Sequence, residues 1–261
     1  ANFGGQLVVV NEVPLEQYLY YVLPGEMPTS FGPRALEVQA IVARTYALSN
    51  LYASGWRRTS AHVVDSVLSQ VYNNGGANST AIAAVEATRG QYLEVNGSPA
   101  DVRFFSTSSG FTANAHQVWA GSDGFPGAVI PWLVARPQYP QGPEQLEGEE
   151  AYSSFVHNPP AEAYDAPSPW FRWQVQVSGG QLEEMIRENL IKVFAANPAA
   201  VFRETDTGFL PAQEMPQDPL GKLLDIIPAQ RGGGQPGDMA GGKGILYPSG
   251  SPSQDRQRAT H

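Results

Sequence analysis

The chain has 261 residues, of which 42% are hydrophobic and 16% are charged, and its net charge is −9 at pH 7. This length predicts one sizeable hydrophobic core. The sequence has no run of about 18 apolar residues, so no membrane-spanning helix is expected. Basic residues do not cluster beyond Arg57-Arg58, so nucleic acid is not an expected partner. Cysteine is absent and the four histidines lack ligand spacing, so we expect no disulfide, no metal and no cofactor.

The first residues carry neither a methionine start nor a signal-peptide pattern, which predicts a mature or trimmed chain. Leu7–Val10 is an apolar run typical of a buried strand. Apolar residues at helical spacing predict a helix over residues 13–23 that ends at Pro24. Glu26 follows between Pro24 and Pro28, which predicts a stiff, non-helical loop. Such an acid is either a solvated helix cap or a functional group.

A second helix is predicted from Pro33 to about Leu51. Gln39 and Tyr46 lie on a face of this helix that is otherwise apolar. Because a buried amide needs hydrogen-bond partners, these two residues either bind neighbouring backbone or line a polar cleft. Arg44 lies on another side, where it would pair with Glu37 or Glu26 or meet a ligand.

The middle of the chain predicts a helix, a hairpin and a hydroxyl-rich segment in that order. Ser79 is placed to cap a helix over residues 80–88. Asn96-Gly97 is a strong two-residue turn signal between two short extended runs. The run Ser106–Gly110 follows the hairpin, and its hydroxyls either form an ordinary loop or line a sugar site.

The remaining sequence alternates between patterned and irregular stretches. Ile130–Arg136, Phe171–Val177 and Leu220–Ile227 are predicted strands. Prolines, glycines and acids dominate residues 137–169, which predicts a long loop or insertion. A helix over Gln181–Ala195 is predicted, with Ser178 as its cap.

The stretch VPLEQYLYYVLPGEMPTSFGPRALEVQAIVARTYAL, residues 13–48, resembles the SpoIID/LytB family of stage II sporulation protein D and the amidase enhancers. Three later blocks follow in the family's order: SQVYNN at 69–74, AVEATRGQYL at 84–93 and FFSTSSGFT at 104–112. The resemblance covers roughly residues 8–188. Four ordered blocks make it more specific than any one motif.

The resemblance implies a protein that acts on peptidoglycan outside the bacterial cytoplasm, in the cell envelope. Sporulation members of the family are lytic transglycosylases that cleave glycan strands stripped of peptide stems. Other members enhance cell-wall amidases. The implied partners are therefore peptidoglycan glycan strands and, as a second candidate, a cell-wall amidase.

The family's motifs also imply roles for individual residues. Glu26 matches the catalytic glutamate of the family's EMP motif. The residues matched to substrate binding are Gln39, Arg44, Gln70, Tyr72, Ser106, Ser108 and Ser109. Some sporulation members carry a Cys/His zinc site just before the QVY motif. Val63, Leu68 and Ser69 hold those positions here, so the resemblance implies no zinc.

A single glutamate suits transglycosylation better than hydrolysis. Hydrolysing glycosidases generally use two carboxylates. In lytic transglycosylation the C6 hydroxyl of the muramyl residue attacks the anomeric carbon, so one carboxylate serves first as acid and then as base. The acid must hold its proton, which a tight pair with Arg44 would oppose. We therefore expect Arg44 to contact substrate or a neighbouring carbonyl rather than Glu26.

The sequence as a whole predicts an α+β fold, with mixed short strands and helices around a single glycan-binding cleft. Residues 1–227 are expected to form one peptidoglycan-acting domain, and residues 228–261 a low-complexity, disordered tail. The expected function is a lytic transglycosylase that produces 1,6-anhydro ends. The alternative is a non-catalytic glycan-binding module that enhances an amidase, with the acidic segment 137–169 as a partner surface.

Overall fold

The computed structural model describes residues 2–3, 6–52, 61–73, 75–119, 121, 127–143, 146, 148–205, 208–215, 220, 222–223, 226–228 and 244–246. Contacts divide the chain into two units, Ala1–Ser106 and Thr107–His261. The expected single domain over 1–227 stays a prediction. The basic pair Arg57-Arg58 lies outside the described residues, as does the expected disordered tail except at residues 228 and 244–246.

The described residues of the first unit form three helices and two short hairpins. The helices are α1 (Leu15–Glu26), α2 (Pro33–Tyr52) and α3 (Ser79–Ala87), with a 3-10 turn at Thr29–Phe31. The hairpins pair β1 (Asn2–Phe3) with β2 (Gln6–Leu7), and β3 (Glu94–Val95) with β4 (Ser98–Pro99), both antiparallel.

The hydrophobic core of this unit lies where the three helices pack against one another. Its buried apolar residues are Tyr18, Leu19, Val22 and Leu23 on α1, Leu36, Ala40, Ala43 and Ala47 on α2, and Ala81, Ala84 and Val85 on α3. On α2 the buried positions recur every three or four residues, which is the helical period. The many alanines let the helix backbones approach closely, and this packing fixes where polar groups on the same helices point.

The first helix continues past the proline that was expected to end it. α1 contains Pro24 and includes Glu26 as its last residue. Pro24 cannot donate a hydrogen bond, but in the last helical turn this costs a single bond. The Met27 amide still donates to the Leu23 carbonyl at 2.9 Å, and Met27 is extended, as the residue before Pro28 should be. The expectation that Glu26 lies in a non-helical loop is therefore wrong.

The predicted buried strand over residues 7–10 is also wrong. β2 contains only Gln6 and Leu7, and its one partner is the two-residue strand β1. Leu7 is 83% exposed and Val9 is 85% exposed. An apolar run is buried as a strand only when a sheet or helix covers it, and the described residues provide no such cover here.

The cap and the hairpin of the middle segment follow local signals. The Asn78 side chain, rather than that of Ser79, caps α3 by accepting hydrogen bonds from the amides of Thr80 and Ala81. The predicted hairpin is confirmed, with Asn96 and Gly97 both at positive φ in its turn.

In the second unit, the part of the chain that the structure describes forms two helices and two further hairpins. They are α4 (Gly148–His157), α5 (Gly179–Ala196), and the antiparallel pairs β5 (Phe202–Thr205) with β6 (Gly208–Pro211) and β7 (Ile226–Pro228) with β8 (Gly244–Leu246). α4 interrupts the segment that was expected to be a long loop. α5 is confirmed, with a capping box formed by Ser178 and Gln181.

Two strands predicted for this unit do not form. Ile130–Arg136 is irregular, and so is Phe171–Val177, where Trp173 is 75% exposed and Val175 is 68% exposed. Alternation gives a strand only when a neighbouring strand pairs with it, and the described residues offer none. Of the described residues within 220–227, which are 220, 222, 223, 226 and 227, only Ile226 and Ile227 enter a strand.

The mixture of helices and antiparallel pairs confirms the α+β class. The single glycan-binding cleft stays a prediction. No helix in the described part of the chain combines the length and hydrophobicity needed to cross a bilayer.

Candidate functional site

The site begins with Glu26 at the C-terminal end of α1. Its side chain is half-buried, and Oε1 accepts a hydrogen bond from the Val71 amide at 2.7 Å. This is the only hydrogen bond of the carboxylate to the described residues. One oxygen is therefore fixed by a backbone donor, and Oε2 makes no hydrogen bond to the described residues.

The segment that carries the Val71 amide is anchored to both neighbouring helices. The Gln70 side chain, which is fully buried, accepts from the Tyr18 hydroxyl at 3.1 Å and donates to the Ala43 carbonyl at 3.3 Å. The Asn73 amide donates to the Tyr21 carbonyl at 3.3 Å. Because these bonds lie on either side of Val71, they fix the donor that faces Glu26.

Tyr18 remains a hydrogen-bond donor in this arrangement. Burial, followed by the nearby Tyr46 and Glu26, raises the pKa of Tyr18 above its ordinary value. The protonated hydroxyl can therefore donate steadily to Gln70. Tyr72 stacks on the Tyr18 ring at 5.5 Å between centroids, which presses the same segment onto α1.

Gly25 allows the segment to lie against the helix. A Cβ atom at this position would be 2.5 Å from the Val71 carbonyl oxygen and 3.0 Å from Val71 Cγ1. The residue before Glu26 must therefore lack a side chain if Val71 is to reach the Glu26 carboxylate. The close approach of Gly25 to Val71 therefore packs the PGE motif directly against the QVY motif.

Glu26 lines a pocket of about 220 Å³ within the first unit. The residues around it are Glu26, Tyr46, Val67, Ser69, Val71, Val102, Arg103 and Phe104. Tyr46 and Ser69 contribute hydroxyls, and Glu26 and Arg103 are the two charged members. The remaining wall is apolar. A pocket with one acid, one cation, hydroxyls and apolar faces can hold a polar ring that also presents C–H groups.

Arg44 does not line this pocket. Its side chain is 1% exposed, and its guanidinium donates to both carboxylate oxygens of Glu16, at 3.0 and 2.7 Å. It also donates to the carbonyls of Gln91 at 2.9 Å and Val85 at 3.2 Å. The expected assignment of Arg44 to substrate binding is corrected, because its donors are used inside the protein to join α1, α2 and the end of α3.

The expected assignment of Gln70 to substrate binding is corrected for the same reason. Its side-chain amide is buried, and both its oxygen and its nitrogen are hydrogen-bonded within the protein. Its role is to position the Val71 donor. Gln39 is 6% exposed, and its Nε2 has no hydrogen-bond partner among the described residues. Tyr72 is half-buried in the stack with Tyr18. For Gln39 and Tyr72, substrate binding stays a prediction.

The serine-rich segment is mostly committed to contacts within the second unit. The Ser108 hydroxyl donates to Asp165 Oδ2 at 2.8 Å, and the Ser109 amide donates to the same oxygen at 3.0 Å. Burial opposes ionisation of Asp165, but the donors of Ser108 and Ser109 outweigh it and hold the pKa of this carboxyl below its ordinary value. The Ser108 hydroxyl is therefore not the free sugar ligand that was expected. Ser106, which is exposed, and the Ser109 hydroxyl stay predictions.

Sequence reasoning did not single out Arg103 or Phe104 as site residues. Arg103 is the sole basic residue between Gly90 and Phe111, directly before the phenylalanines and serines of the family block. An isolated arginine is a weak signal in a sequence. Its position in the pocket wall is evident only in the folded structure. Among the described residues, no group of three or more His, Asp or Glu side chains is arranged to hold a metal ion.

This unit therefore belongs to the class of α+β domains that place one glutamate, at a helix end, in the wall of a small polar pocket. Residues 4–94 match the family model of the stage II sporulation protein SpoIID. The chain is 32% identical over 145 residues to stage II sporulation protein D of Bacillus subtilis, an alignment that covers 50% of this chain and 42% of the relative. It is 36% identical over 115 residues to an amidase enhancer of the same organism, covering 44% of this chain and 14% of the relative.

The chain is therefore similar to the SpoIID/LytB family over residues 4–94, and the site described above is built largely from the matched residues. It spans less than half the length of these curated relatives.

Proposed function

We propose that this protein acts in the bacterial cell envelope on peptidoglycan, as a lytic transglycosylase with Glu26 as its general acid and base. The observation that carries the proposal is the half-buried Glu26 carboxylate in a pocket wall, with one oxygen held by the Val71 amide at 2.7 Å. The family match and the relatives named for sporulation and for amidase enhancement support a cell-wall role.

The proposed reaction needs one carboxyl group and no water. Protonated Glu26 donates its proton to the glycosidic oxygen while the bond from that oxygen to C1 of the muramyl residue breaks. The resulting carboxylate then accepts the proton of the muramyl C6 hydroxyl, whose oxygen bonds to C1 and closes the 1,6-anhydro ring. Glu26 ends protonated, as it began. In this proposal the Val71 donor keeps Oε1 in place, and Oε2 carries out both proton transfers.

Glu26→Gln tests the proposal, because the amide keeps the shape of the side chain but cannot transfer a proton. We expect a loss of at least about a hundredfold in 1,6-anhydro products from purified stripped glycan strands, measured by mass spectrometry. Glu37→Gln is the matched control: Glu37 lies on α2 in a surface pair with Arg34, and its loss should leave the yield unchanged. Equal product from the Glu26→Gln protein and the wild type would refute the proposal.

A second candidate function is that of a glycan-binding enhancer of a cell-wall amidase. It is favoured by the 36% identity to a protein named amidase enhancer. The two functions separate in one experiment, which incubates stripped glycan strands with the wild-type protein alone. Release of 1,6-anhydro fragments supports the enzyme. No release, together with faster peptide removal when a cell-wall amidase is added to intact peptidoglycan, supports the enhancer.

A further inference from the structure

Three large aromatic side chains of the second unit are exposed to solvent within residues 164–173. Tyr164 is 71% exposed, Trp170 is 68% exposed and Trp173 is 75% exposed. Their side chains make no hydrogen bond or ring contact with the part of the chain that the structure describes. Aromatic rings carry a large apolar area and tryptophan is on average well buried, so a group of exposed rings indicates a binding surface.

The backbone between the two tryptophans is held firmly. Phe171 is buried. The Arg172 guanidinium donates to the carbonyls of Ser109 and Phe155, each at 2.9 Å, and lies 4.7 Å from the centre of the Phe171 ring. The residues on either side are therefore presented on a segment that is already ordered. A ligand that binds such rings loses little free energy to ordering the protein.

The segment that precedes the tryptophans is fixed in the same way. The Tyr164 amide donates to the Gln138 carbonyl at 2.9 Å, and the Trp170 amide donates to the Ser168 hydroxyl oxygen at 3.2 Å. Asp165, next to Tyr164, is held by the Ser108 and Ser109 donors described above. The backbone that carries all three exposed rings is thus anchored within the second unit.

The surroundings of these rings offer no free charge. Within residues 163–181 the charged side chains are Asp165 and Arg172. Asp165 has one oxygen bonded to the serine segment and the other buried, and Arg172 is bonded to backbone carbonyls. The neighbouring side chains of Gln174 and Gln176 are exposed amides. An anionic partner such as a nucleic acid or an acidic membrane would need cations here, and the chain as a whole carries a charge of −9.

Aromatic faces beside amides, without charge, match the chemistry of a neutral sugar polymer. A pyranose ring presents C–H groups on its faces and hydroxyls around its edge. The C–H groups pack on the electron-rich face of an aromatic ring, and the hydroxyls exchange hydrogen bonds with side-chain amides.

We propose that Tyr164, Trp170 and Trp173 form a surface that binds a neutral glycan strand by stacking on its sugar rings. Trp170 and Trp173 are three positions apart, so their Cα atoms are at most about 11 Å apart, a distance that successive rings of one strand can span. None of the three residues lines the Glu26 pocket. The surface performs no chemistry, and it is inferred independently of the role of Glu26.

Binding of chitotetraose, an uncharged tetramer of N-acetylglucosamine, tests this inference. Each tryptophan gives one indole N–H signal in a proton–nitrogen correlation spectrum. We expect the signals of Trp170 and Trp173 to shift on titration while those of the other tryptophans stay in place. Trp170→Ala and Trp173→Ala should each weaken binding by about tenfold. Trp173→Phe should keep part of the affinity, whereas Trp173→Leu, which has apolar bulk but no ring, should not.

Met185→Ala is the matched control, because Met185 is a large apolar side chain of the same unit that is exposed on α5. It should bind chitotetraose like the wild type. Absence of binding, shifts confined to other tryptophans, or affinity that survives both tryptophan-to-alanine changes would overturn the inference. So would self-association in analytical ultracentrifugation that is lost in Trp173→Ala, because the surface would then belong to a second copy of the chain.

The Glu26→Gln protein separates this inference from the proposed function. It should bind chitotetraose as the wild type does, since the surface does not include the pocket. Loss of binding in Glu26→Gln would place the sugar in the pocket and overturn the inference. Chitotetraose binding by a wild-type protein that releases no 1,6-anhydro product would support the surface and contradict the transglycosylase alone.

Discussion

At the scale of single residues, the site depends on which polar groups are already bonded inside the protein. Arg44 and Arg103 are both arginines close to family motifs, but their surroundings differ. Arg44 is buried and bonded to Glu16 and to backbone carbonyls, while Arg103 is partly exposed in the pocket wall. Burial thus separates a residue that holds the fold from one that lines the pocket.

Arg44→Met should destabilise the protein by about 3 kcal/mol or more, because it leaves the Glu16 carboxylate, 15% exposed, without its guanidinium partner. The measurement is urea denaturation followed by circular dichroism. Arg34→Met on the same helix is the control, since the Arg34 side chain is 92% exposed and its pair with Glu37 should matter little. Similar midpoints for the two variants would show that the Arg44–Glu16 pair does not stabilise the fold.

At the scale of elements, the site is a contact between the end of α1 and the segment over residues 69–73. Gln70 anchors the segment, Val71 donates to Glu26, and Asn73 donates to the Tyr21 carbonyl. Gln70, Val71 and Asn73 themselves lie outside any helix or strand. Side chains and backbone groups from the helices therefore determine the shape of an otherwise irregular segment.

Gly25→Ala should destabilise the protein by about 1–3 kcal/mol, although alanine is the better helix former. The added Cβ would lie 2.5 Å from the Val71 carbonyl oxygen, so the segment must move away from Glu26. We expect a lower urea midpoint together with a loss of glycan cleavage. Gly75→Ala is the control, because a Cβ there meets nothing within 4 Å. Wild-type stability in Gly25→Ala would argue against tight packing at this contact.

At the scale of the whole molecule, the two units differ in how they bury apolar surface. The cluster of eleven buried residues at the centre of the first unit joins α1, α2 and α3. In the second unit neither α4 nor α5 has a buried residue. α5 is instead supported locally by its capping box and by the pair of Arg187 with Glu183.

The two units are expected to give distinct denaturation transitions. The second unit carries four of the five tryptophans, at positions 119, 132, 170 and 173, so tryptophan fluorescence reports mainly on it. Far-UV circular dichroism reports on the helices of both units. We expect fluorescence to change at lower urea concentration than circular dichroism. Coincident curves would indicate one cooperative unit instead.

Local signals in the sequence were enough to predict several elements. The turn at Asn96-Gly97, the cap at Ser178 and the helix that begins at Pro33 follow from the backbone preferences of a few neighbouring residues. The α+β class follows from the mixture of such signals. The strand expected over Phe171–Val177 failed because strand formation also requires a partner, which alternation cannot reveal.

The amino-acid sequence alone shows that a glutamate follows Pro24-Gly25 at the end of an apolar helix and that a QVY block lies some 45 residues later. Which of these residues contact one another becomes evident only in the folded protein. Packing of the three helices brings Val71 to Glu26, assigns Arg44 to Glu16 and leaves Arg103 in the pocket wall. The reason is physical: local preferences act over a few residues, whereas burial and hydrogen bonding depend on groups that become neighbours only when the chain folds.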